Sequence, residues 1–241
     1  MTKARTYPRR GLHGELVHDF GVRILRGDLL PGDPLPTETG TDAAPDVSRT
    51  VLRETIKVLA AKGLVVSRPK TGTHVRDRAY WNLMDPDVLA WRLETDPGDG
   101  FFVDVFELRR LIEPAAAALA AERANPEEIA GLETAFAEME TNVGRNPGEY
   151  IAADLRFHEL ILIACHNELL GHLGSTLRAT FRASFTRTNA SAEQTLPMHA
   201  VVLDAIRASD GPAAEAAMLD LIDTTASQLA GSGDRVTRAG R

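Results

Sequence analysis

The pattern of hydrophobic residues changes once along this chain, close to Arg78. Before that point, short apolar segments alternate with turn signals; after it, alanine- and leucine-rich stretches with a helical repeat dominate, and no strand pattern recurs. Because helices and strands bury their apolar faces with different periods, this change predicts two structural classes in one chain. We therefore predict a mostly α protein, in which a small N-terminal domain with a β-hairpin precedes an all-α helical bundle.

The N-terminal part carries the signals of helices and of one hairpin. A helical repeat of apolar residues runs over 12–26. Ser48 has the side chain of an N-cap, and Gly63 is the residue type that ends a helix, so a second helix is expected between them. The apolar segments 64–66 and 74–75 then flank a short glycine-containing connection, which predicts a β-hairpin with a basic tip.

Formal charge is divided unequally between the two parts. Residues 1–78 hold 14 Lys and Arg against 9 Asp and Glu, a net +5, whereas the remainder holds 13 against 25, a net −12. This division favours contact between the first part and a polyanion. A single cysteine, Cys165, suits a reducing compartment, and the sequence shows neither a signal peptide nor an apolar run of about 18 residues. We expect a cytoplasmic protein without membrane contact.

The helix predicted over 48–62 has an apolar and a cationic face. Its apolar stripe consists of Leu52, Ile56 and Leu59. Arg49 and Arg53 lie four residues apart on a different face. Arginine can bond bidentately to guanine edges in a major groove or to phosphates, and a cationic hairpin tip suits the adjacent backbone or minor groove. A solvated basic face is the alternative for the helix alone; helix and hairpin together favour DNA.

Four segments resemble those of GntR-type regulators, namely 24–38, 47–54, 63–65 and 72–75. The resemblance implies a winged helix-turn-helix in residues 1–78, with DNA contacts from the recognition helix and the tip of the wing. The residues that it designates are Ser48, Arg49, Thr50, Arg53, Lys70 and Thr71. The segment 39–46 departs from the family pattern, because Gly40 and Pro45 disfavour a helix there, and we expect this helix to be short or loosely packed.

The helical half places several polar residues on faces that should be buried. Helices are predicted near 84–94, 101–124, 126–143, 148–166, 168–188, 194–209 and 212–230. Asp154 and His158 lie four apart among apolar neighbours, as do Thr195 and His199, and Arg109 lies at the edge of an apolar stripe. Unpaired polar groups are costly to bury, so these five should satisfy one another or a common ligand.

This set of residue types allows more than one kind of site. An Asp and two imidazoles can hold a divalent metal with open positions for water or a ligand, and an arginine can clamp a carboxylate in a fork. The structural alternative is a buried, hydrogen-bonded Asp–His pair beside a core histidine. A catalytic metal site, and hence a metal-dependent enzyme, is a third interpretation, although no further acid or base is evident beside it.

The segments 154–158 and 165–170 resemble the ligand-sensing FCD domain of the FadR subgroup. Metal-binding members of that family use an Asp, the His four residues later and two further His. Asp154, His158 and His199 match three of these positions, and Leu221 stands at the fourth. The resemblance therefore implies a three-ligand site for Zn, Ni or Mn, of low affinity, in which an oxygen of the bound ligand could complete the shell.

The segments 81–91, 111–114, 120–123 and 194–199 resemble those of sugar-acid repressors within the subgroup. The resemblance implies a hydroxy-carboxylate effector such as galactonate, with contacts from Arg109, Asp154, His158, Thr195 and His199. Lactate, gluconate, a hexuronate or another carboxylate is the alternative, and so is an activator in place of a repressor. We expect a homodimer on a pseudo-palindromic operator, with domains at 1–78 and 101–232 and with a linker and first helix at 79–100.

Overall fold

The computed structural model describes residues 11–35, 48–189 and 192–238, with side chains up to residue 227 in the last range. The chain divides into two compact units, Met1–Pro97 and Gly98–Arg241. The prediction for the segment 39–46 lies outside the described residues. Within the described ranges, no helix combines the length and the apolar character needed to cross a bilayer.

The first unit combines three helices with a two-stranded antiparallel sheet. Its elements are α1 (Leu12–Arg26), α2 (Arg49–Ala61), β1 (Val65–Arg68), β2 (Gly72–Val75) and α3 (Pro86–Glu94), with a 3-10 turn at Arg78–Tyr80. The predicted helix over 12–26 is confirmed to the residue. The residue pairs between β1 and β2 run from Val65↔Val75 to Arg68↔Gly72. This pairing confirms the predicted hairpin and places Lys70 in its tip.

Helix α2 begins and ends where the sequence predicts. The Ser48 side chain accepts a hydrogen bond from the Val51 amide at 3.3 Å, which satisfies one of the free amides of the first turn. Gly63 follows the helix with φ 76°, and a Cβ at this position would lie 2.1 Å from the Tyr80 carbonyl oxygen. Glycine is therefore required both for the left-handed backbone and for the close approach of the chain after the wing.

Helix α3 packs within the first unit. Trp91 is fully buried, and a Cβ at Gly21 of α1 would lie 2.5 Å from its ring. The Lys62 ammonium, beyond the end of α2, bonds Asp85 at 2.8 Å and Asp87 at 2.7 Å, where the Lys62 and Asp87 side chains are 3% and 0% exposed. The segment predicted as a linker with a first helix thus forms a buried ion-pair cluster with the residue that follows α2.

The second unit is an all-α bundle of long helices. These are α4 (Gly98–Arg123), α5 (Pro126–Asn142), α6 (Pro147–Ala164), α7 (Glu168–Thr188), α8 (Ala192–Arg207) and α9 (Gly211–Arg238). Asn125 and Glu128 form the reciprocal capping box that starts α5, and Pro126 occupies its first turn. The mostly α architecture with a hairpin-bearing N-terminal unit is confirmed, although α4 begins three residues before the predicted start and α9 extends past residue 230.

Candidate functional site

The predicted recognition helix presents its cations to solvent. Leu52 and Leu59 are buried in the core of the first unit, whereas Arg49, Thr50 and Arg53 are exposed on the opposite side. The Arg53 side chain is 62% exposed and lies 4.0 Å from Glu54. This contact is too long and too exposed to neutralise the guanidinium, so Arg53 is available for an anionic partner.

The tip of the wing is also cationic and exposed. Lys70 and Thr71 are both solvent-exposed, and Lys70 adopts a left-handed backbone with φ 69°. A side chain is disfavoured in this conformation, so the lysine is held at the tip at some cost in stability. Arg68 at the end of β1 is exposed as well and adds a charge to the tip that the sequence-based set did not include.

In the second unit, the structure brings together all five residues predicted to point inward. Arg109 of α4, Asp154 and His158 of α6, and Thr195 and His199 of α8 line one cavity. The space among its lining residues is about 310 Å³, its opening to solvent included. Little of this space is enclosed: the cavity proper is about 20 Å³, which is room for an ion or a water molecule.

Three potential metal ligands converge in this cavity. The Asp154 Oδ1 atom lies 3.2 Å from the His199 Nε2 atom and 3.3 Å from the His158 Nε2 atom, and the two Nε2 atoms are 3.4 Å apart. Among the residues whose positions are described, this is the one cluster of three that could hold a metal ion. Separations of this size are those between neighbouring ligands whose bonds to a common ion are about 2.1 Å long.

The far side of each imidazole is fixed by a hydrogen bond. His158 Nδ1 lies 2.6 Å from Glu113 Oε2, and His199 Nδ1 lies 2.9 Å from the Thr195 carbonyl oxygen. Both partners are acceptors, so each Nδ1 carries a proton, and each ring in its neutral form turns the lone pair of Nε2 towards Asp154. Burial lowers the pKa of His158, but Glu113 and Asp154 together raise it above its usual value. Two nitrogen lone pairs and a carboxylate that face one another repel unless a cation or a proton lies between them. The donor set therefore fits a divalent metal ion.

Glu113 is the main feature of the site that sequence reasoning missed. It is 1% exposed and bridges His158 to Arg109, whose Nε atom donates to Glu113 Oε1 at 2.7 Å. Its position four residues after Arg109 on the same helix was the available signal. The Nε edge of Arg109 serves Glu113, so the predicted fork to a bound carboxylate remains a prediction for the opposite edge of the guanidinium. Nη1 is the atom that remains, since it has no hydrogen-bond partner among the described residues.

The charges in the cavity are held by mutual contacts. Burial by itself would raise the pKa of Glu113, but Arg109 and His158 together lower it to about 2. Burial likewise acts to raise the pKa of Asp154, and the two histidines lower it well below its usual range. Both carboxylates are therefore ionised at neutral pH. The Arg109 guanidinium lies over the Phe185 ring, 4.4 Å from its centroid, which supports the buried cation from another side.

Further polar residues line the cavity. Tyr150, Asn189 and Thr225 contribute to its lining, and none of them was predicted to do so. Leu221, the residue at the position of the fourth ligand, lines the cavity and is 1% exposed. Its side chain offers no donor atom to a metal, so the cluster keeps three ligands, as the sequence predicts.

An exposed cationic helix with a hairpin in one unit, and a polar cavity within the other, are the parts of a DNA-binding regulator with a small-molecule domain. The family model described as "Bacterial regulatory proteins, gntR family" matches residues 15–75, and that of the FCD domain matches residues 104–224. The protein belongs to the GntR family of transcriptional regulators and carries an FCD domain. The alternative of a metal-dependent enzyme is therefore wrong, because these families consist of regulators.

Similar proteins cover nearly the whole chain. The galactonate operon transcriptional repressor of Escherichia coli (strain K12) is 38% identical over 89% of this chain and 95% of its own. The regulator LutR of Bacillus subtilis (strain 168) is 29% identical over 86% of this chain and 96% of its own. The solved structure of a Streptococcus agalactiae GntR protein covers 90% of this chain and all of its own, with a TM-score of 0.52 and 24% identity, and supports the fold.

Proposed function

We propose that this protein is a transcriptional repressor that a small hydroxy-carboxylate releases from its operator, and that a divalent metal ion takes part in holding the acid. The observation that carries the proposal is the convergence of Asp154, His158 and His199, whose three facing atoms are 3.2–3.4 Å apart. The cost of burying these three groups together is offset when a cation and its ligand complete the set.

The composition of the donor set favours a borderline divalent ion. Asp154 would supply an oxygen and the two histidines their Nε2 atoms, and Zn²⁺, Ni²⁺ and Mn²⁺ accept such ligands. Glu113 and the Thr195 carbonyl would hold the imidazoles in the required tautomer. Because Leu221 withholds a fourth ligand, we expect low affinity. When bound, the ion supplies positive charge and open positions for a carboxylate and an adjacent hydroxyl.

The charge of the cavity favours a monoanion. With neutral imidazoles, Arg109, Glu113 and Asp154 sum to a net −1, and a divalent ion changes this to +1, which one carboxylate neutralises. Arg109 would add one hydrogen bond from Nη1, and the Thr195 hydroxyl is placed to contact a hydroxyl of the acid. The 38% identity to a galactonate operon repressor makes galactonate the first candidate.

The regulatory step follows from differential binding. We propose a cytoplasmic homodimer whose two recognition helices read a pseudo-palindromic operator. Arg49 and Arg53 would contact the bases. The phosphates would be contacted by Ser48, Thr50, Lys70 and Thr71. Residues 1–78 then read the DNA, 79–100 join the parts, and 101–232 bind the acid and the second copy. The acid weakens DNA binding only if it prefers the state with poorer DNA affinity, and such couplings are typically about 5- to 150-fold.

Elemental analysis of the purified protein tests the metal part directly. We expect the wild type, loaded with Zn²⁺ and washed, to retain metal that Asp154→Ala loses and that a chelator removes. Asp104→Ala, an exposed aspartate of α4, is the matched control and should retain the ion. Equal metal content in Asp154→Ala and the control would exclude these residues as the site.

A further inference from the structure

The end of the cavity beyond the metal cluster contains polar atoms that the cluster does not use. Asn189, the residue that follows α7, lines the cavity, and its Oδ1 atom is buried without a hydrogen-bond partner among the residues described. Thr225 of α9 lines the same cavity and donates its hydroxyl proton to the Leu221 carbonyl at 2.7 Å, so its oxygen is left as an acceptor. A buried amide without a partner is costly, which points to a bound group that satisfies it.

Helix α7 places Asn189 about one turn from the metal cluster, and Thr225 follows the lining residue Leu221 by four residues on α9. The Phe185 ring lies 5.1 Å from the His158 ring, between centroids, and Asn189 follows Phe185 by four residues on α7. Tyr150 precedes Asp154 by four residues on α6, and its hydroxyl donates to the Ala192 carbonyl at 3.4 Å at that same end of the cavity. Four residues of helix rise about 6 Å, which sets the separation between the two ends.

We infer that Asn189 and Thr225 form a second subsite, which selects acids by a hydroxyl on the tail of the carbon chain. The inference rests on the proposed function, because the carboxylate end of the acid is assigned to the metal and Arg109. An extended chain advances about 1.2 Å per bond, so about five bonds reach from the cluster to Asn189. Acids of five or six carbons with a hydroxylated tail, the aldonates, meet this requirement, whereas lactate and glycerate are too short.

The lining chemistry also sets the type of group that the subsite takes. The Thr225 oxygen and the Asn189 Oδ1 atom are acceptors, so they pair with hydroxyl donors and repel a second carboxylate. The subsite therefore favours a terminal alcohol over a terminal acid, and a monocarboxylate over an aldarate of the same length.

The test compares acids of different length on the metal-loaded, full-length protein. Calorimetry is run with glycerate, threonate and galactonate against the wild type, Asn189→Leu and Thr225→Val. We expect the wild type to bind galactonate at least about tenfold tighter than glycerate, and each variant to lose about five- to tenfold for galactonate while binding of glycerate changes by less than about twofold.

Two matched variants control for packing. Asn142→Leu alters another asparagine at a helix end, and Thr176→Val removes an exposed hydroxyl that also donates to the carbonyl four residues earlier. Both should bind every acid as the wild type does. The subsite is refuted if Asn189→Leu and Thr225→Val bind galactonate like these controls, or lose glycerate and galactonate equally. If the metal-loaded wild type binds none of the acids, the proposed function itself is wrong and the subsite falls with it.

Discussion

Replacing Glu113 by glutamine tests whether the buried bridge organises the whole cavity. The carboxylate accepts from Arg109 Nε at 2.7 Å and faces His158 Nδ1 at 2.6 Å, and all three side chains are at most 2% exposed. A glutamine keeps the shape, but it has one oxygen for two donors and turns an NH₂ group towards one of them. Arg109 would then remain as a buried cation without its counter-ion.

The expected magnitude follows from that geometry. Removing one partner of a buried ion pair costs about 3–5 kcal/mol, because the other charge is left uncompensated. We expect Glu113→Gln to lie at the lower end, about 3 kcal/mol, for two reasons. Arg109 keeps its contact with the Phe185 ring, and glutamine fills the same space as the glutamate. For a unit of this size that corresponds to a fall of about 10 °C in Tm. Loss of the carboxylate behind His158 should also weaken metal binding by about 10- to 100-fold.

Differential scanning calorimetry and a Zn²⁺ titration monitored with a competing chelator measure the two effects. Glu107→Gln, an exposed glutamate on the same helix, is the control and should leave both values unchanged. Operator binding in the absence of acid should survive in both variants, since the first unit is untouched. A Glu113→Gln protein with wild-type Tm and metal affinity would refute the bridge, and a lower Tm with unchanged metal affinity would limit Glu113 to a structural role.

Four further substitutions have defined expected outcomes. Arg49→Ala and Arg53→Ala should each cost about 1–3 kcal/mol in operator binding if they contact bases, measured by fluorescence anisotropy, whereas the exposed Arg182→Ala in the other unit should cost nothing. Leu221→His should restore a fourth ligand and slow the loss of metal to a chelator; an unchanged rate would show that this position does not face the ion. Lys70→Gly should raise the free energy of unfolding by up to about 1 kcal/mol, because glycine adopts a φ of 69° without strain. The same change should lower DNA affinity and reduce the slope of log affinity against log salt concentration by about 1. A loss of stability would contradict the strain at Lys70.

The sequence predicts those parts of the molecule that depend on local periodicity and capping. The Ser48 cap, the Gly63 terminus, the hairpin and the inward orientation of Asp154 and His158 all follow from spacing within one element, and the structure agrees. Which atoms pair across elements does not follow from spacing. Arg109 was correctly placed on the cavity, but the pairing of its Nε with Glu113, which leaves Nη1 for a ligand, becomes visible only in three dimensions.

Charge patterning has the same limit. Lys62 contributes to the basic balance of the first 78 residues, yet its ammonium is buried against Asp85 and Asp87 and cannot meet DNA. Asp85 and Asp87 lie after residue 78, so the net charge of residues 1–78 includes the charge of Lys62 but not the two carboxylates that neutralise it. This ion-pair cluster also explains why α3 packs with the winged unit, which its position in the sequence between two domains does not reveal.

The central claim is that the acid acts through a metal-dependent cavity to release DNA. Its most direct test is the DNA affinity of the full-length protein, measured by anisotropy on a fragment selected from random sequence, as galactonate is added with Zn²⁺ present or after chelation. We predict that galactonate weakens DNA binding by about 5- to 150-fold in the metal-loaded protein and has no effect after chelation, while DNA binding without acid is the same in both. Equal release with and without metal, or release by a long-chain acyl ligand in place of any aldonate or uronate, would contradict the account.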